Sequence, residues 1–410
     1  MPEFFNVLPP AAARDLLFQH LPAAVPTETI PTEQALGRVT AAAVHAPHPL
    51  PSVRRRTMDG YAVRAADTFG ATSTLPAFLT VVGEVKMGRP AGVILRPGQA
   101  AVVHTGGMIP DTADAVVPVE QTQVVEETEI EVYAAVAVGQ NVLQIGEDVR
   151  QGEIVLLAGR RLRPQELGGL LALGITQLEV ARRPRVALLA TGDEVIHPSQ
   201  PASPGQIRDI NSYTTAGQTE RAGGIPVLGG IIGDDFSTLK EAAAKALAKN
   251  DMLVMSAGSS VSVRDMTARV IDELGRPGVL AHGIAVKPGK PTIVAVVEGK
   301  PVFGLPGNPV SAMILYELLG VPTIYRLQGL SASPWLGRAQ ARLARNVASE
   351  TGREDYIPAR LEETADELLA HPVFGKSNLI YTLVNADGLI RVPFNKGGLA
   401  AGEWVEVCLF

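Results

Sequence analysis

Between Pro184 and Gly320 short apolar runs alternate with amphipathic stretches, and that alternation leaves few folds open. Val186–Ala190, Met252–Ser256, Thr292–Val297 and Val302–Leu305 are mostly apolar runs, as expected of strands covered on both faces. Pro226–Ile232 and Val279–Val286 read as further strands. Asn211 is placed to cap a helix ending near Gly223, and Leu239–Lys249 reads as an alanine-rich helix with lysines on one side. Ala257–Arg264 reads as a loop, followed by a helix from Asp265 to Leu274 that Gly275 stops. A last helix opens at Asn308-Pro309, an Asn cap with Pro at the first helical position. Such alternation predicts a doubly wound, mostly parallel α/β sheet, with ligands at the carboxyl ends of its strands.

The flanks read differently. Residues 47–146 carry β-rich segments (Ala77–Val82, Ala115–Glu120, Ile130–Ala137) separated by Gly and Pro. The tail alternates as strands do, most clearly at Trp404–Leu409, and predicts a compact β-barrel. Pro164–Leu173 reads as a helix with Pro at its start and Gly174 just past its end.

Composition narrows the function classes. A net charge of −6 lacks the surplus of Lys and Arg that bulk nucleic-acid binding needs. The single cysteine, Cys408, excludes an internal disulfide and a multi-cysteine metal site, and it reads as a small core residue of the last strand. The N-terminal stretch has Glu3 early and no basic run, and no apolar run approaches about 18 residues. A cytoplasmic protein with neither signal peptide nor membrane span is expected.

Four loops follow strands of the predicted sheet, and each carries more polar or glycine residues than a connection needs. In Thr191-Gly192-Asp193-Glu194 the paired carboxylates suit Mg²⁺, although an ordinary turn uses the same residues. Ser256–Ser262 holds four serines and Gly258, with Asp265 beyond it, so Ser259, Ser260, Ser262 and backbone amides can meet an anion. Asp265 reads either as a helix cap or as a metal ligand. Lys287-Pro288-Gly289-Lys290-Pro291 is a stiff basic loop suited to an oxyanion or pyrophosphate, or a solvated turn. Leu305–Ser311, with Pro306, Gly307, Asn308 and Ser311, points a helix N-terminus at the same edge. Two stretches are false leads. Gly375-Lys376-Ser377 resembles the end of a phosphate loop, but Ala370 replaces the first glycine and a strand-like segment is expected to follow. His45-Ala46-Pro47-His48 has proline between its histidines and reads as a loop.

Together with Thr57–Val63 (TMDGYAV), Thr105–Glu120, Gly146–Asp148, Arg183–Glu194, Gly233–Asp235, Asn385–Gly388 and Gly402–Val407, these loops resemble the molybdopterin molybdenumtransferases, the family of bacterial MoeA and the gephyrin E domain. The resemblance runs over nearly the whole chain in the family's order. It implies the last step of molybdenum cofactor synthesis, in which adenylated molybdopterin is cleaved with Mg²⁺, molybdate enters the dithiolene and AMP leaves. It implies an α/β molybdopterin-binding domain (1–26 and 181–328), an elongated linking domain (27–46 and 147–180), a β-rich domain (47–146) and a C-terminal barrel (329–410). A homodimer is implied, as is transient contact with the molybdopterin adenylyltransferase.

By resemblance, Asp193, Glu194, Asp265 and one of Asp234 and Asp235 hold Mg²⁺ or orient water. Lys287 and Lys290 bind molybdate or the pterin phosphate, with Ser311 and the Asn308 helix end completing the nest. Asp59, Thr105 and Asp148 face the cleft from other domains, across the dimer. Arg353 and Ser377 align near the molybdate site. Departures occur at Ala257 and Ser262, where the family's loop has glycines, and at Pro358, where an arginine is expected after Tyr356. Competing readings are a tungstate-inserting enzyme, a catalytically silent scaffold and a nucleotide pyrophosphatase. Intact carboxylates and both lysines argue against the scaffold, and the added β domains argue against the pyrophosphatase.

Overall fold

A computed structural model describes residues 7–256, 261–330, 335 and 337–410. Its centre is a six-stranded sheet. Helix α1 (Pro10–Gln19) packs on it from the N-terminus, burying Ala13 and Leu17. The chain returns in β1 (Arg185–Thr191), α2 (Asn211–Arg221), β2 (Ile225–Ile232), α3 (Phe236–Lys249), β3 (Met252–Ser256) and α4 (Val261–Leu274). β4 (Pro277–His282), β5 (Ile293–Val297), β6 (Lys300–Leu305) and α5 (Pro309–Leu315) complete the unit.

The strand order is β2-β1-β3-β6-β5-β4, parallel from β2 to β6 and antiparallel on either side of β5. The change of direction has a local cause. Glu298 and Gly299, both at positive φ, make a two-residue turn between β5 and β6, and such a turn permits only a hairpin. Because β4 runs parallel to β6, the long loop after β4 still opens at the carboxyl edge. Both faces of the sheet are covered. Val186 and Leu188 of β1 enter one apolar cluster with α1 and α5, whereas Ala187 and Leu189 enter another with α3 and α4. Each fully buried Leu or Val contributes about 1.5–3 kcal/mol, so β1 is held by apolar packing on both of its faces.

Three expectations need correction. Helix α4 begins at Val261, four residues before Asp265, so Asp265 lies inside the helix. The strand expected over 279–286 is broken, and its last part, Val286–Lys287, pairs instead with Glu354–Asp355 of the C-terminal region. One apolar helical run, Pro309–Leu327, does reach 19 residues and is long and apolar enough to cross a membrane. Most of it is buried as a core element, since it carries the central packing residues Ile314, Tyr316 and Leu319.

In the tail, Glu354–Glu363, Leu368–Pro372, Gly337–Leu343, Trp404–Leu409 and Gly388–Val392 pair in that order, and the last pairs back with the first. The ring is closed, which removes free edges. Cys408 is buried in it, and burial pushes its thiol up to about 11. Between Gly60 and Val132 six strands form a separate sheet with its own apolar clusters. Thr27–Pro31 pairs with Gln177–Ala181, and Val44–His45 with Ile154–Leu156, tying the two approaches to the central unit together.

Candidate functional site

The loop after β4 and the helix after β6 meet the barrel at the carboxyl edge. Gly289 sits at φ +109, and a Cβ there would run into Leu315 Cδ2, so only glycine lets the Lys287–Pro291 loop lie on α5. Thr292 Oγ1 donates to the Gly289 carbonyl at 2.8 Å and Ile284 N to the Lys290 carbonyl at 2.8 Å, which holds the loop from both sides. Asn308 precedes α5 but its side chain makes no cap. It donates instead through Nδ2 to Ser377 Oγ at 2.9 Å, while Val310 N donates to the Ser377 carbonyl at 3.1 Å. The barrel therefore supplies the acceptor that the helix end lacks.

The seam encloses a cleft of about 790 Å³. Lys287, Lys290, Pro306, Asn308 and Ser311 line it from the central unit, and Arg353 and Ser377 from the barrel. Tyr356, Pro358, Lys376 and Asn378 also border it, and among the described residues no Asp or Glu does. Arg353 is committed elsewhere, with Asp355 at 2.9 Å and Glu350 at 3.0 Å. The two lysines have no ion pair among the described residues, so the cleft carries net positive charge.

A smaller cleft of about 290 Å³ adjoins it, sharing Asn308 and Asn378. Thr191, Glu194, Ser256 and Gly307 line this second space. Asn211 is the first residue of α2 rather than its cap, and its Nδ2 donates to the Gly307 carbonyl at 2.9 Å. Thr191 Oγ1 donates to the Ser256 carbonyl at 3.2 Å, joining the ends of β1 and β3. Gly192, at φ +135, leaves room for Glu194, because a Cβ there would stand 2.6 Å from Oε2.

The carboxylates divide. Asp193 Oδ1 accepts from Asp234 N at 3.1 Å. Burial, then the charges of Asp193 and Glu194, raise Asp234 above the usual carboxylate range. Asp235 instead caps α3, accepting from Thr238 N at 2.8 Å and from its hydroxyl at 2.7 Å, and these bonds hold its carboxyl low. Asp265 is exposed in the first turns of α4 and lines neither cleft. Ser262 lies in the first turn of α4, and Ala257, Gly258, Ser259 and Ser260 lie outside the described residues.

The expected metal set of Asp193, Glu194 and Asp265 is not assembled as a cage among the described residues. Asp234 is the third carboxylate in the electrostatic reach of Asp193 and Glu194. Oxygen donors of this kind suit Mg²⁺, which is commonly held by one or two carboxylates with substrate phosphate and water.

Asp59, Thr105 and Asp148 line neither cleft. Asp59 accepts from Thr105 N at 2.7 Å and stands 3.6 Å from Arg56, a guanidinium with no exposed surface. Asp148 lines a third cleft, with Arg160 and Glu166 of the linking segments. Lys376, Asn378 and Asn211 were not anticipated as site residues. Only Lys376 had a signal, the Gly-Lys-Ser tripeptide. It is followed by a helical turn, Tyr381–Val384, rather than the expected strand.

Comparison with known proteins agrees with this layout. Residues 8–174 match the MoeA N-terminal region (domain I and II), 187–326 the "Probable molybdopterin binding domain", and 340–410 the MoeA C-terminal region (domain IV). The chain is 33% identical to molybdopterin molybdenumtransferase 2 of Mycobacterium tuberculosis, over 92% of this chain and 94% of that one. It is 32% identical to the molybdopterin molybdenumtransferase of Bacillus subtilis, over 93% and 90%. A solved molybdopterin biosynthesis MoeA protein of Pyrococcus horikoshii superposes with a TM-score of 0.84 at 38% identity, covering 98% of this chain and 99% of that one. The chain belongs to the MoeA family of molybdopterin molybdenumtransferases.

Proposed function

We propose that this protein inserts molybdate into adenylated molybdopterin and releases AMP, acting in the cytoplasm as the last enzyme of molybdenum cofactor synthesis. The observation that carries the reading is the seam cleft, where Lys287 and Lys290 stand beside Ser311, Asn308 and Ser377 with neither an ion pair nor an acidic wall residue among the described residues. Such a site favours a tetrahedral oxyanion. The adjoining smaller cleft, with Glu194 at its wall, receives the adenylate end of the substrate. Cleaving a phosphoanhydride requires charge neutralisation on the transferring phosphate and an oriented nucleophile. Mg²⁺, when bound, supplies part of that neutralisation. Asp193, Glu194 and Asp234 are the side chains offered to hold it, and Lys287 and Lys290 hold the incoming oxyanion against the pterin.

Asp59, Thr105 and Asp148 stand apart from both clefts of their own chain, and a second copy in a homodimer brings them to the site. The adenylated substrate is handed over by transient contact with the adenylyltransferase. A single-turnover assay with adenylated molybdopterin, Mg²⁺ and either molybdate or tungstate tests the reading. Molybdate-dependent AMP release with metal captured in the pterin supports it. Faster capture of tungstate assigns the other metal, and binding without cleavage makes the protein a carrier.

A further inference from the structure

The tripeptide Gly375-Lys376-Ser377 forms no phosphate loop, yet it borders the seam cleft. Its place is fixed by Ser377, whose carbonyl accepts from Val310 N at 3.1 Å and whose hydroxyl accepts from Asn308 Nδ2 at 2.9 Å. Lys376 is thus one residue from an anchored backbone. It lines the cleft from the C-terminal region, whereas Lys287 and Lys290 belong to a single loop of the central unit.

All three lysines are exposed, and none has an ion pair among the described residues. Arg353, the fourth cation, is already neutralised by Asp355 and Glu350. Two lysines match the charge of one tetrahedral dianion, so the third is left over. The space is also too large for one such ion, since about 790 Å³ falls in the range of about 300–1,000 Å³ that suits a whole organic ligand.

We propose that Lys376 marks a second anion subsite in this cleft, which takes a phosphate group while Lys287 and Lys290 hold an oxyanion. The two anions are bound together. The proposal rests on the transferase reading only for the source of the phosphate, which is then the phosphate of the pterin substrate. The charge argument stands on the cleft itself.

Isothermal titration of the full-length protein tests it, with inorganic phosphate titrated in the presence and absence of saturating molybdate. Wild-type protein is expected to bind phosphate with molybdate already in place. Lys376→Ala should weaken that phosphate binding about tenfold, the loss of one charge-assisted contact, while molybdate affinity changes less than about twofold. Lys376→Arg should restore phosphate binding, and equal melting temperatures for the three proteins exclude unfolding as the cause.

Competition between the two anions for one site in the wild type would overturn the proposal. So would an equal loss of both affinities in Lys376→Ala, or no loss of either. If phosphate and molybdate bind together but the single-turnover assay yields no AMP, the transferase reading fails and the two-anion cleft remains.

Discussion

The lysine cleft and the acidic loops are both clusters of like charge at the carboxyl edge of one sheet, yet they are built differently. The lysines stand on a loop whose glycine is pressed against α5, in a walled space closed by hydrogen bonds that Asn308 and Val310 donate to the barrel. The carboxylates stand on loops after β1 and β2, where partial burial and then the charges of Asp193 and Glu194 raise the proton affinity of Asp234. Each cluster carries repulsion that a ligand of opposite sign relieves. The difference teaches that the lysine cluster is held in place by packing and hydrogen bonds of this chain, whereas Asp193 and Asp234 are left on exposed loops.

The most damaging change should be Gly289→Val. A side chain at φ +109 against Leu315 is both strained and overpacked, so a loss of about 3 kcal/mol or more is expected, measured by denaturant unfolding, with molybdate binding abolished. Intact binding would mean that the loop's contact with α5 is dispensable. Next in size, Glu194→Gln should lower single-turnover AMP release about 10²-fold, comparable to removing one electrostatic stabiliser, while leaving molybdate affinity unchanged. A loss of molybdate affinity instead would merge the two clusters into one site. Lys290→Ala should have the opposite profile. The molybdate concentration for half-saturation should rise about tenfold, with the maximal rate little affected.

Smaller effects separate the neighbouring aspartates. Asp235→Ala removes a helix cap and should cost about 1 kcal/mol, read from thermal unfolding. Asp234→Asn should do the reverse at neutral pH. The folded-state proton affinity of Asp234 is raised, so its contribution is complete below about pH 3.8 and is lost as pH rises through the folded value. Removing the charge should therefore stabilise the protein by about a few tenths of a kcal/mol at neutral pH, less in high salt. The gain should vanish in acid. A gain that persists at pH 3 would place its origin outside this carboxylate.

Much of this molecule was legible along the chain. Strands β1, β3 and β6 lie within a residue or two of the apolar runs that announced them, because burial on both faces demands continuous apolar sequence. The loops at their ends were legible too, since glycine, proline and paired charges at a strand's end have local meanings. Neighbouring residues with the same chemistry were not. Asp234 and Asp235 are indistinguishable in sequence, and only the geometry of α3 makes one a cap and leaves the other facing Asp193. Asp265 was expected at a helix start, and the helix begins a turn earlier, because a run such as Val261–Arg264 is compatible with loop or helix until packing decides.

By itself, then, the sequence determined the layered α/β core, the barrel's alternating strands and the basic loop after β4. Periodicity and turn chemistry act between residues a few positions apart. Only the tertiary structure decided that Lys287 pairs with the barrel, that Asn308 bonds to Ser377 and that Lys376 shares a cleft with Lys290. Those contacts join residues about 70 or more positions apart, on the central unit and on the barrel, and nothing in local sequence encodes how two such units dock.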